Sequence, residues 1–175
     1  MNILFIINDG FEEIETITPY DILKRAGQNV TLSSNKVFVE GSHKLIVKAD
    51  YLLSELKKEN YDMLVLSGGR QYQENKNDSL YKEYVSYFAK NKAIASICAT
   101  PAILGSLGLL NGKNYTLFTP MNEEFGGNFT NNRAETDGNI ITSRSCGTAK
   151  DFAYEILKYI GGTSLVDKIK ADTLD

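Results

Sequence analysis

A chain of 175 residues can bury a sizeable core, and no linker-like stretch divides it, so a single domain over 1–175 is expected. With 19 basic and 22 acidic side chains the net charge is -3, which leaves no basic footprint for nucleic acid and no polybasic membrane patch. The opening "MNILFIINDGFEE" lacks a basic leader, no apolar run approaches membrane-spanning length, and two cysteines make neither a disulfide scaffold nor a metal spacing, so a cytoplasmic protein without metal is expected.

Along the chain, strand-like and helix-like patterns alternate. "NILFIIN" (residues 2–8) is a continuous apolar run stopped by Asp9-Gly10, the pattern of a strand buried on both faces. "ETITPYDILKRAG" (15–27) predicts a helix with Pro19 in its first turn and Gly27 as its stop. "QNVTLSS" (28–34) predicts a strand, and "KVFVEGSHKLIVKAD" (36–50) a hairpin around Glu40-Gly41-Ser42. "YLLSELKK" (51–58) suggests a short helix. "YDMLVLSGG" (61–69) is a strand ending in a double glycine.

In "SLYKEYVSYFAKN" (79–91), Leu80, Tyr84, Tyr87 and Phe88 share one helical face. "AIASI" (93–97) is the next buried strand, with a helix from Ala99 to about Leu107. Residues 112–138 look loop-rich, and "NIITS" (139–143) is a further strand. Thr148 and Asp151 resemble a capping box for a helix bearing Phe152, Ile156, Tyr159 and Ile160, followed by a last short helix over 163–171. The alternation predicts an α/β protein whose mostly parallel sheet has helices on both faces. Ligands collect outside the carboxyl ends of such strands. The segments Asp9 to Glu15, Ser67 to Arg70 and Cys98-Ala99 all fall there.

Cys98 sits where a strand turns into a helix. It is either a small buried residue or a nucleophile held on a corner, and the strand-to-helix context favours the nucleophile. Glu12, Glu13 and Glu15 suit a solvated first helical turn. A Glu15 turned inward would instead keep its proton and hydrogen-bond a thiolate. Gly68-Gly69 is either a simple turn or a loop that brings backbone N–H groups, with that of Ala99, to a substrate oxygen. The only histidine, His43, lies in the hairpin, so no local cysteine–histidine pair is visible.

Four segments in order, "GFEEIETITPYDILKRAG", "YDMLVLSGG", "SICATPAIL" and "DGNIITSRSCGTAKDFAYEIL", resemble the DJ-one/ThiJ/PfpI superfamily across nearly the whole chain. The resemblance implies a flavodoxin-like three-layer sandwich, usually a homodimer, with a reactive cysteine on a nucleophile elbow. Cys98 matches that cysteine, Glu15 its protonated partner carboxyl, and Gly68 and Gly69 the adjoining backbone loop. It further implies cofactor-independent glyoxalase or deglycase activity on dicarbonyls such as methylglyoxal. The alternative within the family is a redox sensor or holdase chaperone whose cysteine is oxidised without turnover.

A flavodoxin-like cofactor binder is disfavoured, because Asp9-Gly10-Phe11-Glu12-Glu13 would repel phosphate. The chain departs from the family pattern at Thr119, where several members place a histidine before the proline. It departs again at Cys146, where a proline is usual, and Cys146 is then either a small filler or a partner able to form a disulfide with Cys98. His43 aligns with an often basic position that approaches the neighbouring subunit's cysteine site, as a possible auxiliary beside Thr119 and Cys146.

Overall fold

The computed structural model describes residues 1–175. In chain order the elements are β1 (Asn2–Ile6), α1 (Glu13–Arg25), β2 (Asn29–Ser34), β3 (Phe38–Glu40), β4 (Ile46–Lys48), β5 (Tyr51–Leu52), β6 (Met63–Leu66) and α2 (Tyr72–Asn75). They continue as α3 (Ser79–Asn91), β7 (Ala93–Ile97), α4 (Pro101–Ser106), β8 (Asn114–Tyr115), β9 (Asn128–Phe129), β10 (Ala134–Asp137), β11 (Ile140–Ser143) and α5 (Ala149–Thr173).

Seven strands form one sheet in the order β10-β11-β7-β6-β1-β2-β5. All neighbours are parallel except β10 and β11, which pair antiparallel across Gly138. Alternate residues of each strand point to opposite faces. On one face Ile3, Phe5, Met63, Val65, Ala95 and Ile141 pack under α1 and α5, against Leu23, Phe152 and Ile156. On the other, Leu4, Ile6, Leu64, Leu66 and Ile94 pack under α3 and α4, against Tyr84, Phe88 and Leu104. Burying both faces requires the unbroken apolar runs seen in the sequence, each large side chain contributing about 1.5–3 kcal/mol. The result is the flavodoxin-like sandwich.

Several boundaries differ from the sequence reading. α1 starts at Glu13, so Pro19 lies in its second turn rather than its first. Gly27, at φ +74°, does end that helix: its N–H bonds the Lys24 carbonyl while that of Gln28 reaches Leu23, a Schellman arrangement. Residues 51–58 form no α-helix but the edge strand β5 and two 3-10 turns, at Leu53–Glu55 and Lys58–Asn60. The loop-rich stretch hides β10 and the small parallel pair β8–β9. α5 is kinked at Gly162, whose non-helical backbone, with φ +73°, separates the two helices expected there.

β1 lies between β2 and β6, and the chain leaves β1 through α1 to one side and returns to the other through β6. The strand order therefore reverses at β1–β6, and the carboxyl ends of β1, β6 and β7 open into one crevice.

Candidate active site

Each of those three strand ends delivers one part of the site. β7 ends at Ile97, and Cys98 follows with φ +67°, a left-handed conformation that a side chain adopts only at a cost of about 1–2 kcal/mol. Neighbours hold it there. The Cys98 N–H donates to the Ser143 carbonyl at 3.0 Å, and its carbonyl accepts from Phe118 N–H at 2.9 Å. Buried Thr100 donates to the Ile97 carbonyl at 2.7 Å and accepts from Ser96 at 3.0 Å. This is the nucleophile elbow expected from the sequence.

Glu15, in the first turn of α1, is 1% exposed and points inward. Its Oε2 accepts from Gly68 N–H at 2.8 Å, and its carboxyl hydrogen-bonds the Cys98 thiol. Burial pushes the carboxyl up to about 7, helped by the nearby charge of Glu12; the N–H groups of Gly68 and Cys146 and the Cys98 hydrogen bond act the other way. Burial also pushes the Cys98 thiol up, reinforced by the Glu15 charge, while the N–H groups of Ala99 and Gly69 favour the anion.

Burial thus acts against both anions, and Glu15 and Cys98, joined by a hydrogen bond, titrate as one coupled pair. α4 itself has six residues and begins at Pro101, beyond two intervening residues.

Gly68 and Gly69 are required by closeness. A Cβ on Gly68 would stand 2.6 Å from the Cys98 Cβ and 2.8 Å from Glu15 Oε2. Gly69, at φ +92°, bridges to Phe11 so tightly that a Cβ would meet the Gly10 carbonyl at 2.3 Å. The Gly69 and Ala99 N–H groups, expected to face a substrate oxygen, face the Cys98 sulfur in this state.

Above the sulfur opens a cavity of about 510 Å³, lined among others by Glu12, His43, Arg70, Tyr72, Phe118 and Met121. His43 therefore joins the Cys98 cavity of its own chain, which the sequence did not anticipate. The imidazole is 74% exposed, with Nδ1 2.9 Å from Glu13 Oε2 and 3.8 Å from Glu12 Oε2. The Glu13 hydrogen bond, and then the charges of Glu12 and Glu13, raise its pKa above the ordinary histidine value. Arg70, whose guanidinium donates to the Ser42 carbonyl, was not singled out by any sequence signal beyond its place after the double glycine.

Two auxiliary candidates lie elsewhere. Thr119 does not line this cavity. It sits on the 3-10 turn Thr119–Met121, where Phe118 and Met121 take the cavity side and Thr119 Oγ1 lies 3.5 Å from the Asn131 amide oxygen. Cys146 is exposed and lines a second cavity with Arg133, Lys150 and Asp151, and it is its backbone N–H that reaches Glu15. Both cysteines are free thiols. Glu12, Glu13 and His43 bring three potential ligand atoms within 4.8 Å of one another, but these groups are engaged with each other at the cavity rim. No helix is long and apolar enough to cross a membrane.

Fold and site together define a flavodoxin-like α/β protein with a cysteine on a nucleophile elbow and a buried carboxyl at its sulfur. Residues 1–159 match the model of the DJ-1/PfpI family, and the chain belongs to that family. It is 32% identical over 165 residues to Deglycase PfpI of Pyrococcus furiosus, spanning 91% of this chain and 99% of that one. It is 37% identical over 166 residues to Protein DJ-1 homolog B of Arabidopsis thaliana, covering 91% of this chain but only 38% of the plant protein's length. The crystal structure of Drosophila melanogaster DJ-1beta superposes with a TM-score of 0.89 at 30% identity, covering 99% of this chain and 97% of the fly chain.

Proposed function

We propose that this protein is a cysteine-dependent, cofactor-independent glyoxalase or deglycase acting on reactive dicarbonyls such as methylglyoxal or on their early adducts. The observation that carries the proposal is the Glu15 carboxyl, buried, hydrogen-bonded to the Cys98 sulfur and pushed up to about 7. A group near the working pH both gives and takes a proton readily, which is what a proton shuttle needs. The archaeal relative's name, a deglycase, points the same way.

In this reading the Cys98 sulfur attacks the aldehyde carbon, and the thiol proton passes to the new alkoxide to complete a hemithioacetal. Glu15, as carboxylate, removes the proton from the former aldehyde carbon and returns one to the neighbouring carbonyl carbon through an enediol. The product of that transfer is a hydroxyacyl thioester on Cys98. Water hydrolyses it to the hydroxy acid and frees the thiol. The Gly69 and Ala99 N–H groups steady the negative oxygen. His43, on the cavity rim, would assist proton transfer in place of the histidine that several family members carry where this chain has Thr119.

The test is lactate formation from methylglyoxal without glutathione, in wild type, Cys98→Ser and Glu15→Gln. Turnover in wild type and its loss in both variants is expected. A wild type that makes no lactate while low-dose peroxide oxidises Cys98 would favour the sensor reading. A homodimer completes the proposal. Ile14 and Ile17 expose apolar side chains one turn apart on α1, and Phe38 and Ile46 do so on the hairpin, apolar surface that a second copy would cover.

A further inference from the structure

Gln71 has no part in the chemistry above, yet it is 1% exposed and its side-chain amide is fully engaged. Its Nε2 donates to the Ser67 carbonyl at 2.8 Å and the Gly68 carbonyl at 2.9 Å, with Ser67 Oγ at 3.1 Å. Its Oε1 accepts from Asn8 N–H at 2.7 Å, which fixes which end of the amide is which. Asn8 in turn donates to Asn75 at 2.8 Å and accepts from Ser34 at 3.1 Å, so a buried polar network anchors Gln71 between β1 and β6.

A trans peptide is planar, with its C=O and N–H pointing in opposite directions. The Ser67 carbonyl and the Gly68 N–H belong to one such plane, and the Gly68 carbonyl and the Gly69 N–H to the next. Gln71 holds both carbonyls. On the far side of the two planes, the Gly68 N–H meets Glu15 Oε2 and the Gly69 N–H meets the Cys98 sulfur. The Gly68 carbonyl has a second donor in Glu12 N–H at 3.2 Å, whereas the Ser67 carbonyl depends on Gln71 for its side-chain donor.

We propose that Gln71 is a positioning residue that aims the Gly68 and Gly69 N–H groups at Glu15 and Cys98 by holding the opposite ends of both peptide planes. This rests on the reading that Cys98 is the nucleophile, but it concerns how the pair holds its protons and not which substrate it meets. Both N–H groups favour the anionic forms, so a loosened loop lets the Glu15–Cys98 pair keep its protons to higher pH. The other groups acting on the pair are the Glu12 carboxylate and the N–H groups of Cys146 and Ala99.

The experiment is the pH dependence of Cys98 alkylation by iodoacetamide, in wild type and in Gln71→Met, which keeps the side chain's length and removes both donors. The midpoint should rise by about one pH unit, slowing alkylation about tenfold below it, with the high-pH plateau retained. A residue that only supports the fold would lower stability and leave the midpoint in place, which would overturn the proposal. Gln71→Glu, with one donor restored only when its own carboxyl is protonated, should lie between the two at low pH.

Should neither variant fold, proton NMR of wild type decides. The Gln71 side-chain NH₂ resonances should titrate together with the Gly68 and Gly69 amides, and Gln71 resonances indifferent to that titration overturn the proposal. Because alkylation needs no turnover, an inactive protein with a shifted midpoint would sink the glyoxalase reading and leave Gln71 standing. An active protein with an unshifted midpoint would do the reverse.

Discussion

Glu15 shows how a single side chain ties stability to acidity. Its carboxyl titrates at 4.5 when unperturbed and is pushed to about 7 in the folded protein, so between those values the native state binds more protons than the unfolded chain. The group's contribution is therefore most favourable below about 4.5 and is lost as pH rises through about 7. Urea unfolding of wild type should lose roughly 2–3 kcal/mol relative to Glu15→Gln between pH 4.5 and pH 8. Parallel curves for the two proteins would mean that Glu15 is ionised or solvated. Gly68→Ala is a test of packing, since its Cβ would collide with Cys98 and Glu15. About 1–3 kcal/mol of stability should go, and lactate formation with it. Thr119→His should leave turnover unchanged because the side chain does not reach the Cys98 cavity, whereas a family-pattern argument alone predicts a gain.

At the scale of the element, the β7–α4 elbow stores strain that a substitution can read. Glycine takes the left-handed conformation of Cys98 freely and alanine does not, so Cys98→Gly should be more stable than Cys98→Ala by about 0.5–1 kcal/mol in chemical unfolding. The opposite order would show that the elbow relaxes once the thiol is gone. The elements themselves were legible where burial wrote long patterns: β1, β6 and β7 as apolar runs, α3 by its four-residue spacing, the hairpin by Gly41. Residues 51–58 misled because Leu52, Leu53 and Leu56 have the spacing of one helical turn, although only Leu53 lies in a 3-10 turn. β10 was invisible because its residues are all half-buried and carry no apolar alternation. The Cys98–Glu15–Gly68 core of the site could be located from strand ends plus resemblance. Gln71, His43 and Arg70 could not be placed that way, since what makes them matter is which loop packs on which.

On the scale of the molecule, the apolar side chains left on α1 and the hairpin set the expectation for assembly. Sedimentation at micromolar concentration should show a dimer, and Ile14→Glu with Ile17→Glu should give a monomer with unchanged circular dichroism. A monomeric wild type removes the dimer from the proposal. The sheet order has a kinetic side as well. Residues 15, 68 and 98 come together only after β1, β6 and β7 have paired in parallel, and such distant pairings close slowly compared with helices. During refolding, then, the burial of one sulfur marks the moment when the middle of the sheet is complete. A thiol-labelling pulse at successive times would turn Cys98 into a clock for that event, while Cys146, exposed throughout, serves as its running control.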